Sequence, residues 1–203
     1  MIIGVLALQG DYERHMRQLE AVGAKPVLVR LPENLNNLQG LIIPGGESTT
    51  MSILIDRFKL REPLTRFGAE HPIYGTCAGM IMLSKTVAEN HSDVNPLGLM
   101  DIELVRNGYG RQVFSFDTTV DCRLGEHVVP VTASFIRAPR VTRLGQGIEV
   151  LARFNGDPVL LRQNHLLAAS FHAELDDDTR LLEYFLAYFV ADNPKKKPIL
   201  QSS

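Results

Sequence analysis

Cysteine is scarce in this chain: 203 residues hold two, Cys77 and Cys122. Two thiols exclude a disulfide scaffold, and no spacing offers four ligands to a structural zinc ion. They point to a reducing, cytoplasmic compartment. An excess of one charge is also missing. Lys and Arg total 21 against 23 Asp and Glu, a net charge of −2, so no global field draws in nucleic acid. Long apolar runs are absent as well. Ile2 to Leu8 spans seven residues, against roughly 20 for a bilayer span. No basic segment or small-residue cleavage site accompanies it, so a buried strand is expected and no membrane. Internal repeats and inter-domain linkers are missing too. The chain reads as one domain over 1–193, followed by a polar tail, 194–203, expected to be disordered.

What is present is strand–helix alternation. Ile2 to Leu8 is continuously apolar, as a strand covered on both faces would be. Asp11 to Val22 carries Tyr12, Met16, Leu19 and Val22 at helical spacing, and Gly23 stops it. Strands are predicted at Pro26 to Leu31, Leu41 to Ile43 and Pro72 to Tyr74. Helices are predicted from the hydroxyl-rich Ser48-Thr49-Thr50 through Phe58, at Glu62 to Phe67, and at Ala78 to Leu83. The second half reads as strands at Ile102 to Arg106, Gln112 to Val120, Val128 to Ile136, Glu149 to Phe154, Pro158 to Arg162 and Leu167 to Phe171. A last helix follows Asp176-Asp177-Asp178, whose acids suit its positive end rather than a metal. The fold class expected is α/β, a flavodoxin-like three-layer sandwich. Its central sheet is mostly parallel, with an antiparallel portion in the second half.

Gly75-Thr76-Cys77-Ala78-Gly79 lies between a predicted strand and a predicted helix. It matches a nucleophile elbow: a reactive residue on a sharp turn, with small neighbours that bulk would prevent from closing. The thiol would project at a helix start, where free N–H groups favour thiolate, and the Ala78 N–H would point at a developing oxyanion. A buried cysteine in a tight turn is the plainer reading of this segment by itself. Cys122 shows no such setting and reads as packing. A nucleophilic cysteine needs a base. Among six histidines, Phe171-His172-Ala173-Glu174 stands out, because residues two apart in an extended segment face the same side. Glu174 could then orient His172. His15, on the polar side of the first helix, and His165, in a turn, read as surface residues. Pro44-Gly45-Gly46-Glu47-Ser48 is a third strand-to-helix junction, whose loop would open at the same sheet edge as Cys77.

Together these segments resemble class I (triad) glutamine amidotransferases. The likeness is closer still to the glutaminase subunits of pyridoxal 5′-phosphate synthase. It is carried by Leu6-Ala7-Leu8-Gln9-Gly10, Pro44 to Thr50, Gly75 to Met80, Arg106-Asn107 with Gly110-Arg111-Gln112, and Phe135 to Pro139. One departure is Ala173, where the family usually has Pro between His and Glu; alanine adopts the same extended form with less rigidity. The resemblance implies a Cys77–His172–Glu174 triad acting on L-glutamine, with the N–H groups of Gly46 and Ala78 as oxyanion donors. It implies a substrate pocket lined by Gly46, Glu47, Ser48, Arg106, Ile136 and Arg137. Glu47 would meet the substrate ammonium and an arginine its carboxylate. Gln9 and Gly10 would sit near the oxyanion site and a partner. That partner is a (β/α)8-barrel synthase subunit that uses the ammonia. Pyridoxal 5′-phosphate is then a product of the complex, and neither cofactor nor metal is expected on this chain. Two other readings stay open on the residues: the glutaminase partner of a different synthase, and a non-catalytic redox module that keeps only the elbow cysteine.

Overall fold

Side-chain alternation across one sheet organises the molecule. The structure is a computed structural model that describes residues 1–88, 93–108, 115–176 and 178–191. The chain runs β1 (Ile2–Leu6), α1 (Tyr12–Ala21), β2 (Lys25–Val29), a 3-10 turn (Pro32–Leu35), β3 (Gly40–Ile43), α2 (Ser48–Arg57), α3 (Arg61–Glu70), β4 (Ile73–Thr76) and α4 (Ala78–Leu83). It continues through β5 (Ser84–Val87), β6 (Met100–Val105), β7 (Ser115–Leu124), β8 (His127–Ile136), β9 (Arg140–Leu144), β10 (Glu149–Phe154), β11 (Asp157–Gln163) and β12 (Leu166–Ala169). It ends in α5 (Arg180–Phe185), whose last turn widens to a π-helix over Leu186–Val190.

The main sheet has seven strands in the order β10-β11-β12-β4-β3-β1-β2. β2, β1, β3, β4 and β12 are parallel, and β11 and β10 add antiparallel strands at one edge. Successive residues feed two separate cores. Ile3 and Val5 of β1, Ile42 of β3, Tyr74 of β4 and Leu167 of β12 pack with α1, α5 and the β7–β8 hairpin. Leu6, Leu41, Ile43, Ile73 and Leu166 pack with α2, α3, α4 and β6. This two-sided burial is why the strands read as continuous apolar runs rather than alternating ones. The three-layer, mostly parallel α/β architecture agrees with the sequence reading.

The differences are local. β5, β9 and the 3-10 turn were not anticipated: Ser84-Lys85-Thr86-Val87 and the mostly exposed β9 have no apolar period to announce them. The helix placed at Glu62 to Phe67 extends to Glu70. The start of the Gln112 strand, Gly110-Arg111-Gln112, Asp177 and the tail from 192 onward lie outside the described residues. At α5, Asp178 accepts the Arg180 N–H at 3.0 Å and pairs with the Arg180 side chain, so an acid does sit against this helix start, one residue before the cap Thr179. Phe116, Phe135, Phe154 and Phe171 form one aromatic stack with centroids 4.8–5.6 Å apart. It fastens the hairpin to the sheet and so fixes the end of β8 above the sheet's carboxyl edge.

Candidate active site

The parallel strands point their carboxyl ends at one edge, where open α/β sheets bind ligands. β4 delivers Cys77 there. Its backbone adopts φ +49°, ψ −103°, a conformation costing about 1–3 kcal/mol for a non-glycine residue. Neighbours hold it in place: the Cys77 N–H donates to Ala169 O at 2.8 Å, and its carbonyl accepts from Ile81 N at 3.2 Å. The turn closes because Gly79 has no side chain; a Cβ there would stand 2.0 Å from Ile43 O. The thiol is 6% exposed, with Sγ 3.8 Å from the Ile136 carbonyl.

His172 and Glu174 come from the far side of β4. The sequence placed them at the end of a strand reaching Phe171; β12 stops at Ala169, and the pair occupies the following loop. What keeps this loop extended is a bridge to the hairpin: His172 N donates to Ser134 O at 2.8 Å, and Ser134 N to His172 O at 3.2 Å. With Ala173 between them, His172 Nδ1 still lies 2.7 Å from Glu174 Oε1. Glu174 is 3% exposed. Burial works against its charge, but His15 and His172 outweigh that and hold the carboxyl well below its ordinary range. Burial likewise disfavours a charged His172. Hydrogen bonds to Cys77 and Glu174, with the charge of Glu174, prevail and raise the imidazole to about 10. An ionised Glu174 only accepts, so Nδ1 donates to it and the other ring nitrogen is left to pair with the thiol.

Above this pair lies a cleft of about 230 Å³, below the ~300–1,000 Å³ of sites for drug-sized ligands and suited to one amino acid. Cys77 and His172 line it together with Gly46, Glu47 and Ser48 of the β3–α2 turn. Arg106 and Asn107 after β6, Ile136 at the end of β8 and Arg137 after it complete the wall with Ile81. Gly46, Cys77, Asn107 and Arg137 all hold positive φ, which glycine and asparagine accept easily and which strains Cys77 and Arg137. Arg106 donates to Thr49 Oγ1 at 2.9 Å, which ties the β6 end to α2.

Glu47 lines the cleft, and at the start of α2 it departs from the expectation that hydroxyls form the cap. Its carboxylate is the cap, accepting from Thr49 N at 3.0 Å and Thr50 N at 2.6 Å. An anion satisfies two helix-start amides better than a hydroxyl does. These bonds outweigh partial burial and lower its pKa. Gln9 and Gly10 abut the same turn: Glu47 N donates to Gln9 Oε1 at 3.0 Å, and a Cβ on Gly10 would meet Gly45 O at 1.9 Å. Ala78 opens α4 and is fully buried beneath the cleft; a helix gives its first amides no internal acceptor. Cys122 is buried in β7 away from the cleft, as packing requires.

The sequence reading missed one residue next to this machinery. His15, expected at the surface, is 1% exposed, with Nε2 3.4 Å from Thr76 Oγ1 and 3.5 Å from Glu174 Oε1. A signal existed: His15 precedes the buried Leu19 by four residues, on the same helix stripe. His165 is also not free at the surface; its Nε2 lies 2.9 Å from Gly68 O.

Comparison with known proteins gives the same assignment. A 188-residue stretch is 50% identical to the pyridoxal 5′-phosphate synthase subunit PdxT of Desulforudis audaxviator, covering 92% of this chain and 97% of that one. PdxT of Geobacillus kaustophilus is 50% identical over the same length, 92% of this chain and 93% of its own. A solved glutamine amidotransferase superposes with TM-score 0.86 at 41% identity, covering 92% of this chain and 98% of its own. The model of the SNO glutamine amidotransferase family matches residues 5–191. With an elbow cysteine, a paired histidine and an amino-acid-sized cleft on the same sheet edge, the chain belongs to the SNO glutamine amidotransferase family.

Proposed function

We propose that this chain is the glutaminase subunit of a pyridoxal 5′-phosphate synthase, acting through Cys77, His172 and Glu174. The observation that carries the reading is their arrangement at the cleft. Cys77 sits on a strained elbow beside a His172 whose Nδ1 is 2.7 Å from a buried Glu174. Cys77 Sγ attacks the side-chain amide carbon of L-glutamine. His172 takes the thiol proton and gives it to the leaving nitrogen as the C–N bond breaks, releasing ammonia and leaving a γ-glutamyl thioester that water hydrolyses to L-glutamate. The N–H groups of Gly46 and Ala78 receive the oxyanion, each donor worth about 3–4 kcal/mol in the transition state. Arg106 or Arg137 grips the substrate carboxylate, with Ser48 and Ile136 beside it.

The ammonia goes to a synthase subunit, a (β/α)8 barrel that seats near Gln9 and Gly10 and builds pyridoxal 5′-phosphate. The cofactor is therefore the product of the complex, and this chain needs none of its own. Two free, buried thiols fit a cytoplasmic setting. No helix among the described residues is long and apolar enough to cross a membrane.

The test is glutamate formation by wild type and Cys77→Ala, each with its synthase subunit present. Wild type should turn over glutamine and Cys77→Ala should not, with the thioester trapped only in the former. Turnover by Cys77→Ala at the wild-type rate would overturn the reading.

A further inference from the structure

One face of α1 grips the loop that carries the triad's histidine and carboxylate. Arg14 Nη1 donates to Leu175 O at 3.3 Å. Gln18 Nε2 reaches Asp176 O at 3.2 Å and Asp178 O at 3.3 Å. Between them His15 turns inward under the sheet. Its Nε2 faces two oxygens, Thr76 Oγ1 and Glu174 Oε1, while its Nδ1 has no hydrogen-bond partner. Glu174 Oε2 is likewise buried without one. Among the described residues the carboxylate therefore depends on ring nitrogens alone: His172 Nδ1 at 2.7 Å and His15 Nε2 at 3.5 Å, both directed at Oε1. A buried carboxylate with so few donors is costly unless each one is used.

We propose that His15 is a positioning residue for the glutaminase reaction: its buried imidazole, held between Thr76 and Glu174, keeps the Glu174 carboxylate charged and aligned on His172. This rests on the triad reading given above. His15 touches neither Cys77 nor the cleft and acts only through Glu174. Thr76 immediately precedes the nucleophile, so one imidazole joins the elbow to the loop that supplies the base. The other titratable groups at this point are few. Tyr74 on β4 stands perpendicular to the His15 ring with centroids 6.4 Å apart and stays neutral because burial raises it well above its ordinary value. Glu174 and His172 come from the loop after β12, and Cys77 from the elbow. Partial loss of Glu174's charge or alignment therefore reaches catalysis as a weaker hold on the His172 proton.

The test compares His15→Gln, His15→Asn and His15→Leu in the complex with the synthase subunit. A glutamine amide nitrogen reproduces the reach of Nε2, whereas an asparagine one falls near Nδ1 and misses Glu174. His15→Leu and His15→Asn should lower kcat about 10–100-fold, as loss of an orienting partner does, with KM little changed. Their alkaline limb in the pH profile of kcat/KM should move to lower pH, because the imidazolium of His172 has lost part of its support. His15→Gln should restore both. In a Glu174→Gln background, His15→Leu should add no further loss, since the two act on one path. Losses that multiply in the double variant, equal damage in Gln and Asn, or an unmoved limb in folded His15→Leu would each overturn the proposal. Wild-type rates in Glu174→Gln itself would instead sink the triad reading, which separates the two failures.

Discussion

Cys122 lies within the ten-residue strand β7, its side chain wholly enclosed by the hairpin's core. Cys77 closes the four-residue strand β4 on a turn with φ +49° and lines a cleft. Both thiols are free and both count as buried, so burial alone separates nothing. Neighbours do. Around Cys122, burial pushes the thiol up to about 12, with Asp121 adding to it. Cys77 instead faces a histidine that a buried carboxylate keeps charged. Under the proposed function, a nucleophile is made here by a strained turn plus a paired base, and a packing residue by their absence.

The largest effect should be in alkylation. At pH 8, a thiol of pKa about 12 is thiolate in only about one molecule in 10⁴, and Cys122 is also sealed from reagent. Iodoacetamide on the native protein, read by peptide mass spectrometry, should label Cys77 more than about 10³-fold faster than Cys122. A chloroketone analogue of glutamine should label Cys77 alone. Comparable rates at the two cysteines in folded protein would erase the contrast.

Removing the charge behind the base is the next step down. Glu174→Gln should cut kcat about 10²–10⁴-fold while leaving Cys77 in place. It should also alter stability against pH. The folded value for His172, about 10, lies above the ~6.5 of a free imidazole. The stabilisation from its partners is therefore complete below ~6.5 and fades as pH rises through about 10. Urea unfolding from pH 6 to 10 should show this fall in wild type and a flatter line in Glu174→Gln. Equal slopes would mean that Glu174 does not hold the imidazolium.

Both halves of the contrast were legible in the sequence to different depths. Gly75-Thr76-Cys77-Ala78-Gly79 announces the elbow because steric closure demands small residues there, and Gly79 does sit against Ile43 O. The His172–Glu174 pair is legible from its two-residue spacing, but the strand that spacing implies is not what the structure builds. The two residues meet, but in a loop kept extended by Ser134 rather than in a strand. That bridge links two segments remote in sequence, and no local pattern records it. His15 was missed for the same reason. Its partners, Thr76 and Glu174, are brought to it only by the order of the sheet. The α2 cap is another such case: Ser48-Thr49-Thr50 reads as a hydroxyl cap, but the turn places two amides within reach of the Glu47 carboxylate.

A smaller effect probes how tightly the reactive region is built. A Cβ on Gly45 would stand 2.2 Å from Cε1 of His172. Gly45→Ala should push the ring off the thiol and cost about 10²-fold in kcat, the scale of a 1 Å misplacement, with KM and melting temperature nearly unchanged. A crystal structure of the variant should show the displaced ring. Full activity would mean that the base tolerates movement and that its alignment matters less than its charge.

The smallest effect on activity is expected at Cys122. Cys122→Ser keeps the shape but buries a hydroxyl, whose nearest acceptor is Val120 O, 3.5 Å from the present sulfur. Leaving a hydroxyl weakly bonded in a core costs about 1–3 kcal/mol, or about 2–4 °C of melting temperature per kcal/mol at this chain length. Turnover of the folded fraction should be that of wild type. The comparison is not trivial, because the hairpin holding Cys122 also holds Ser134, which pins His172, and Ile136, whose carbonyl faces Cys77. If the destabilised hairpin lowers kcat at temperatures where the protein is fully folded, the two cysteine regions are mechanically coupled through that bridge. If kcat holds while the melting temperature falls, the aromatic stack of Phe116, Phe135, Phe154 and Phe171 isolates the site from its own scaffold.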